Sequence, residues 1–204
     1  MKKTRSTGAA ATRERILDAA IRVVEKDGVG AATTKRIAAE AKVAEGSLYN
    51  HFADKPELLI SLVLERMPDI KDIFAKLFRP GETSTAERLC RAIPAMIDFY
   101  THAQLVGAGV SADPELLRLC RRRFAEAGLG PHLAHLKLAE FLREEQNAGR
   151  IKPGAKPDII AALLIGACTE YAGLSQMTGK TPGGLKKPDY AKAVVATLSP
   201  LLFP

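Results

Sequence analysis

The residues with the clearest chemical meaning lie together in one short segment, residues 33–55. Ser47 can donate a hydrogen bond to a base edge or accept one from it, and Gly46 allows a close approach of the backbone. Tyr49 and His51 carry polar groups that can hydrogen-bond to phosphates. This combination predicts contact with a nucleic acid, although Tyr49 and His51 also fit an ordinary solvated surface.

Both ends of the segment add polar groups of the same kind. Thr34 lies at the N-terminus of a predicted helix, where free amides and the helix dipole favour a phosphate. Lys55 begins a later helix in a matching position. Glu45 has two interpretations that stay open at this stage, because a carboxylate can face a base or simply favour the positive N-terminus of its own helix.

Short helices must position these groups. Apolar residues recur at helical spacing over residues 16–24 and predict an amphipathic helix that starts near Arg13 and ends with Gly28 as a left-handed cap. A second helix is predicted from Lys35 to Glu40 or Ala41, with Thr33 or Thr34 as its N-cap, and a third, shorter one over about 44–51. Two short helices joined by a tight turn are typical of a helix-turn-helix, whose second helix enters a DNA major groove about 12 Å wide.

The composition narrows the class of protein. The 204 residues include 30 Lys and Arg against 23 Asp and Glu, a net charge of +7 that favours a polyanionic partner. Aromatic residues make up 5% and Trp is absent, which argues against single-strand binding by stacked rings. The longest apolar run, residues 159–168, is half of what a bilayer requires, and the basic N-terminal residues do not resemble a secretory signal. We therefore expect a cytoplasmic protein without a membrane span.

The rest of the chain also predicts helices, and no stretch shows the two-residue alternation of a strand. Caps and apolar periodicity place further helices at about 55–67, 69–78, 84–107, 115–127, 132–147, 156–177 and 188–200. The expected fold class is therefore all-α.

The segment from Thr33 to Lys55 resembles the DNA-binding domain of the tetracycline-repressor (TetR) family. The resemblance covers about residues 13–65, and it rests on these residues: Ile37, Ala38, Gly46, Leu48, Tyr49, His51, Phe52 and Lys55. It implies an all-helical homodimer with a helix-turn-helix domain (10–68) and a ligand-binding and dimerisation domain (69–204). It also implies a repressor that a small molecule releases from a palindromic operator in double-stranded DNA. The basic residues at the start of the chain show no apolar periodicity and predict a flexible arm (1–9), with an arm that touches DNA as the alternative. No cofactor is expected.

The resemblance further assigns roles within the helix-turn-helix. Residues that match phosphate-contacting positions are Thr34, Tyr49, His51 and Lys55. Residues that match positions near bases or the adjacent backbone are Lys35, Glu45, Ser47 and Asn50. Two positions depart from the family pattern. Ala44 replaces a frequent Ser or Thr and can touch a thymine methyl instead of a phosphate. Lys42 replaces a frequent Gly in the turn and adds a candidate phosphate contact.

The second half of the chain carries weaker patterns. Small and apolar residues on the last two long helices predict a four-helix dimer interface, with the chain's own core as the alternative. The interface candidates are Ile160, Leu164, Ala167, Val194 and Leu198. Apolar and aromatic residues on neighbouring helices are candidates for an effector pocket, again with an ordinary core as the alternative. These candidates are Met96, Phe99, Tyr100, Phe124, Phe141 and Tyr171.

Other functional classes find little support in the sequence. No nucleophile–base order or phosphate-binding glycine loop predicts an enzyme, and His132 with His135 supplies too few ligands for a metal. The basic run 121–123 is expected to form a solvated or salt-bridged face, and a lowered pKa of the neighbouring Cys120 thiol with oxidant sensing is the less favoured alternative. Two alternatives to a regulator remain: a non-specific nucleoid-type DNA-binding protein, and a helical small-molecule enzyme with a vestigial DNA-binding end.

Overall fold

The computed structural model describes residues 3–66, Phe74 and residues 83–203, with the backbone alone described at residues 3–7. No strand occurs in these residues, and the predicted all-α fold is confirmed. The α-helices are α1 (Lys3–Asp27), α2 (Thr34–Ala41), α3 (Glu45–Leu48), α4 (Lys55–Arg66), α5 (Thr85–Ser111), α6 (Pro114–Ala127), α7 (His132–Asn147), α8 (Pro157–Thr178) and α9 (Lys187–Leu202). Short 3₁₀ turns lie at Val29–Ala31 and Pro182–Gly184. The helix predicted over 69–78 lies outside the described residues, apart from Phe74.

Side chains at their N-termini explain where several helices begin. The Thr33 hydroxyl accepts a hydrogen bond from the Arg36 amide at 3.2 Å, just before α2. Asp113 accepts from two backbone amides in the first turn of α6. Ser84 and Glu87 exchange hydrogen bonds in a capping box at the start of α5. These polar residues satisfy amides that a helix leaves without internal partners, so the predicted starts of these helices are confirmed.

The structure differs from the predicted helix bounds by two or more residues at four places, one of which is the end of α5 at Ser111 instead of Gly107. Residues 3–9, predicted as a flexible arm, form the first turns of α1. The adjoining sequence is rich in alanine, which favours a helix even where no apolar stripe is present. Helix α3 ends at Leu48, several residues early, and continues as a turn. Helix α9 runs past Pro200 to Leu202, whose carbonyl accepts a hydrogen bond from the Lys152 amide at 2.8 Å.

The chain forms two compact units. Unit 1 comprises Met1–Met67 with His102–Leu129, and unit 2 comprises Pro68–Thr101 with Gly130–Pro204. Helix α5 is shared, since its first part belongs to unit 2 and its last ten residues belong to unit 1. Helix α6 therefore packs with the predicted helix-turn-helix, although the sequence placed it in the second domain.

The core of unit 1 contains buried apolar residues of α1, α2, α3 and α4. Ile16, Leu17 and Ile37 are fully buried in it. Gly28 ends α1 with φ 81° and ψ 164°, a positive-φ conformation that suits glycine but is not the predicted left-handed helical cap. Gly109 of α5 lies so close to the turn after α1 that a Cβ there would be 2.2 Å from the Val29 Cβ. Only glycine permits this approach.

Among the described residues of unit 2, one carboxylate is buried in the core. Glu145 is 2% exposed and accepts hydrogen bonds from Thr85, Arg88 and Arg150. Burial raises the pKa of Glu145, but these hydrogen bonds outweigh it and lower the pKa to about 2, so the group is charged. The Arg88 guanidinium also lies over the Phe141 ring at 5.0 Å.

Helix α8 has an inner and an outer apolar face. By length and composition alone, it is long and apolar enough to cross a membrane. Its inner face, which includes Leu164, Cys168 and Tyr171, is buried in the core of unit 2. Its outer face exposes Ile159 and Leu163. Packing within unit 2 thus explains the apolar residues of the inner face, whereas those of the outer face are exposed in the part of the chain that the structure describes.

Candidate nucleic-acid interface

The turn between α2 and α3 is made by Lys42 in a left-handed backbone conformation. Lys42 has φ 55° and ψ 47°, in the left-handed region that favours glycine. Its amide donates to the Ala39 carbonyl at 3.1 Å, and the Val43 amide donates to the Ala38 carbonyl at 3.0 Å. These are the two hydrogen bonds of a Schellman motif, and Val43 packs against the core of unit 1. The turn is therefore well fixed, and it leaves Lys42 exposed beside α3.

Helix α3, the recognition helix, is anchored on one side and open on the other. Leu48 and, just beyond the helix, Phe52 are buried in the core of unit 1. Tyr49 is 54% exposed, Asn50 is also exposed, and Ser47 is half-buried. A short element with a fixed back and small or polar groups on its surface can enter a DNA groove.

A hydrogen bond ties the N-terminal end of α3 to α2. Thr34 Oγ1 donates to Glu45 Oε1 at 2.7 Å, so Thr34 is engaged with the recognition helix. Ala44 occupies the N-cap position of α3 without a side-chain hydrogen bond, in agreement with its lack of a hydroxyl. Gly46 is exposed, and a Cβ there would meet no atom within 4 Å. Packing within the chain does not require glycine at this position, which leaves room for an external ligand.

The N-terminus of α4 follows the turn after α3 and carries a further DNA-binding candidate. Lys55 begins α4 and is half-buried, like His51 in the preceding turn. Asp54 accepts from the Glu57 amide at 2.7 Å, and Glu57 accepts from the Ala53 amide at 2.6 Å. All of the predicted DNA-contacting residues thus lie on α2, α3, the two turns that flank α3 and the start of α4, within unit 1.

Ion pairs hold α1 and α4 together behind this surface. Arg13 donates to both oxygens of Glu65 at 2.5 and 2.7 Å and lies 5.0 Å from the centre of the Phe52 ring. The hydrogen bond from Arg13 lowers the pKa of Glu65. Arg66 pairs with Asp18 at 2.9 Å and with a second carboxylate of α1. These bidentate and shared pairs fix the helices that support α3.

The predicted effector residues are divided between the two units. Phe124 of α6 packs against the core of unit 1, so the structure separates it from the other candidates. Met96 is buried in unit 2, and Tyr171 is buried there with its hydroxyl donating to the Leu185 carbonyl at 3.0 Å. Burial raises the pKa of Tyr100 to about 12. The remaining candidates of unit 2 are Phe99, half-buried, and Phe141, buried beneath the Arg88 guanidinium.

The predicted dimer-interface residues lie on more than one face. Ile160 and Leu164 are buried in the core of unit 2, so they cover the chain's own core. Ala167, Val194 and Leu198 are half-buried. The interface candidates do not include the outward apolar residues Ile159 and Leu163, because apolar residues occur all around α8 and the sequence pattern does not distinguish its two faces.

The surroundings of Cys120 and His135 do not favour oxidant sensing or metal binding. Cys120 is buried, and burial raises the pKa of its thiol, which is opposite to the lowered pKa that the less favoured oxidant-sensing alternative requires. The adjacent arginines point to solvent and do not outweigh burial. His135 lies 3.9 Å from Asp158. In the described ranges, no group of three or more His, Cys, Asp or Glu side chains could hold a metal ion.

Comparison with known proteins points to one family. Residues 16–62 match the family model of bacterial regulatory proteins, tetR family. The HTH-type transcriptional repressor Rv1474c of Mycobacterium tuberculosis is 25% identical over 164 residues, which are 80% of this chain and 82% of that protein. The fatty acid metabolism regulator of Bacillus subtilis is 40% identical over only 52 residues, 26% of this chain and 27% of its own length.

Solved structures share the fold over most of the chain. FadR of Bacillus subtilis in complex with stearoyl-CoA has a TM-score of 0.66 at 22% identity, covering 91% of this chain and 96% of FadR. SmeT, the repressor of a multidrug efflux pump of Stenotrophomonas maltophilia, has a TM-score of 0.65 at 18% identity, covering 94% and 90%. Residues 16–62 thus match the DNA-binding region of the TetR family of bacterial regulatory proteins, and the chain shares the fold of these solved structures over most of its length.

Proposed function

We propose that this chain is a cytoplasmic, ligand-responsive repressor that binds a palindromic operator as a homodimer. One observation carries the proposal: the recognition helix exposes Tyr49 and Asn50 while Leu48 and Phe52 fix it to the core. In a dimer, two such helices about 34–36 Å apart enter successive major grooves. Operator symmetry then follows from the symmetry of the protein.

The proposed DNA contacts fall into two groups, those to phosphates and those to base edges. Lys42 and Lys55 supply charge to phosphates, and the hydroxyl of Tyr49 and the imidazole of His51 supply hydrogen bonds to them. Base edges are read by Lys35, Ser47 and Asn50, which have exposed or half-buried side chains on the same surface. At the open end of α3, Gly46 allows close approach, and the Ala44 methyl can touch a thymine methyl.

The dimer forms through the outer face of α8. Ile159 is 57% exposed and Leu163 is 49% exposed, and the exposed small residues Ala162 and Gly166 lie between them and the next turn. Leu201 of α9 is also exposed. Small residues allow two helices to approach closely, so this face fits a copy of itself about a two-fold axis. Ala167, Val194 and Leu198 lie half-buried at its margin.

The effector site lies in unit 2, among the apolar and aromatic side chains of Met96, Phe99, Tyr100, Phe141 and Tyr171. Two structural neighbours support a small-molecule effector, since FadR was solved with stearoyl-CoA and SmeT with triclosan. An effector that binds a conformation with a different helix spacing shifts the population away from DNA. By linkage, operator DNA weakens effector binding by the same factor.

Selection of bound duplexes from a random pool tests the proposal. The wild-type protein should enrich a palindrome, and His51→Ala should enrich it weakly or not at all because a contact beside α3 is lost. Binding that depends on salt but enriches no sequence would overturn site-specific regulation and favour a nucleoid-type protein. Sedimentation at micromolar concentration provides the second test, and a monomer would overturn the dimer.

A further inference from the structure

Three of the four carboxylates in and just after the helix-turn-helix have local structural tasks. Glu40 pairs with Arg22 of α1 at 2.8 Å. Asp54 accepts a backbone amide at the start of α4, and Glu57 accepts the Ala53 amide. Each of these acids stabilises the domain, and none is needed to explain a contact with DNA.

Glu45 is the fourth carboxylate, and it differs from the others. It is exposed at the first position of the recognition helix, and one of its oxygens accepts a hydrogen bond from Thr34 Oγ1 at 2.7 Å. In the part of the chain that the structure describes, no cation pairs with it and its second oxygen has no hydrogen-bond donor. The bond to Thr34 limits the positions that the Glu45 carboxylate can take on the α3 surface.

The same bond changes the role of Thr34. A hydroxyl has one hydrogen, so Thr34 cannot donate to Glu45 and to a phosphate at the same time. Its neighbour Thr33 already caps α2. In this arrangement Thr34 is a positioning residue that acts through Glu45 and does not give its proton to the DNA backbone.

A carboxylate on a DNA-binding surface is selective because it can only accept hydrogen bonds. Phosphates repel it, as do the O6 and N7 acceptors of guanine. Adenine offers an amino group, but its N7 acceptor lies beside that group and repels the second carboxylate oxygen. Cytosine presents its N4 amino group without an adjacent acceptor on the same base.

We infer that Glu45, held by Thr34, reads a cytosine amino group in the major groove. The inference rests on the proposed function, because it requires the recognition helix to enter a major groove. It makes Glu45 a residue that determines specificity more than affinity, since exclusion of the other bases is its main effect. Thr34 contributes to the selection of cytosine indirectly, because it positions the Glu45 carboxylate.

Selection from a random duplex pool with full-length protein tests this assignment. The wild type should require cytosine at one position in each half-site. Glu45→Gln should shift that position towards adenine, because an amide both donates and accepts and so matches adenine N6 and N7. Glu45→Ala should lose the preference there and keep it elsewhere. If Glu45 only stabilises the N-terminus of α3, both variants should change the stability of the protein and leave its base preference unaltered.

Thr34→Val and Thr34→Ser separate positioning from phosphate binding. We expect Thr34→Val to reduce discrimination at the cytosine position about tenfold, measured as the ratio of affinities for the operator and its cytosine-substituted form. Thr34→Ser should retain it, and Thr34→Val should have no further effect in the Glu45→Ala background.

Each adverse result has a distinct meaning. If Thr34→Val weakens binding to all duplexes equally, Thr34 is a phosphate donor and the inference fails. It also fails if Glu45→Gln leaves the selected sequence unchanged. A wild-type protein that selects no sequence overturns the proposed function itself, and this inference with it.

Discussion

Lys42 combines backbone strain with a predicted DNA contact, and substitution by glycine separates the two. It is the only residue other than glycine with a positive φ in the part of the chain that is described. The left-handed conformation costs a residue with a Cβ about 1–2 kcal/mol. Glycine avoids this cost but loses about 0.5–1 kcal/mol through its greater freedom in the unfolded chain. We expect Lys42→Gly to raise the free energy of unfolding by about 0.5–1 kcal/mol and the Tm by about 1–4 °C.

The same substitution should weaken DNA binding. Lys42 is exposed beside the recognition helix, where its ammonium group can neutralise a phosphate. Each phosphate contact contributes about 0.9 to the slope of log K against log salt concentration. Lys42→Gly should therefore bind every duplex more weakly at low salt, with a slope reduced by about 0.9 per protomer. Fluorescence anisotropy across a salt series measures the slope, and thermal unfolding at fixed protein concentration measures the Tm.

Two matched variants make this test decisive. Lys42→Ala keeps the strained backbone and removes the charge, so its Tm should resemble that of the wild type while its salt slope falls. Lys42→Arg keeps both the strain and the charge and should behave as wild type in both assays. A glycine variant no more stable than the alanine variant would refute the strain argument. An unchanged slope in both uncharged variants would refute the phosphate contact.

Three further substitutions test the packing on which the fold and the proposed dimer depend. Gly109→Ala places a methyl about 2 Å from Val29 and should destabilise the chain by about 1–3 kcal/mol in urea unfolding, with partial recovery in the Val29→Ala background. Glu145→Gln leaves Arg88 without its buried counter-ion and should cost about 3 kcal/mol in the same assay. The pKa of Glu145 falls from 4.5 to about 2 on folding. The stability that the charged Glu145 contributes is therefore present above pH 4.5 and should be lost as the pH falls towards 2. The Glu145→Gln variant should lack this component of acid unfolding. Leu163→Glu should yield monomers by sedimentation with unit 2 still folded, and a dimer that persists would exclude the outer face of α8 as the interface.

Local signals explain why the helix-turn-helix could be predicted from the sequence. The Thr33 cap, the apolar spacing of α1 and α2, and the start of α4 at Lys55 each depend on residues only a few positions apart. Such signals act within one or two turns of helix, so they are visible without knowledge of the tertiary fold. The sequence also predicts that Ala44 makes no side-chain cap to α3, because alanine has no hydroxyl.

Contacts between distant residues explain what could not be predicted. Thr34 and Glu45 are eleven positions apart and meet only because the turn at Lys42 brings α2 and α3 together. Phe124 looks like any other aromatic on an amphipathic helix, but α6 packs in unit 1. The pKa of Cys120 follows burial, which three neighbouring arginines in the sequence do not reveal. In each case the deciding partner lies on another element.

The shared helix α5 connects the two parts of the proposed mechanism. The candidate effector residues Met96, Phe99 and Tyr100 lie on its portion in unit 2, and its last ten residues belong to unit 1. In unit 1, His102 Nε2 lies 3.2 Å from a carboxylate oxygen of α1, and Gly109 touches the turn that precedes α2 without space for a single methyl. A helix transmits displacement along its axis because each turn is hydrogen-bonded to the next. Within unit 1, a contact as tight as that of Gly109 cannot absorb a displacement of the last turns of α5, so the turn before the helix-turn-helix would move with them.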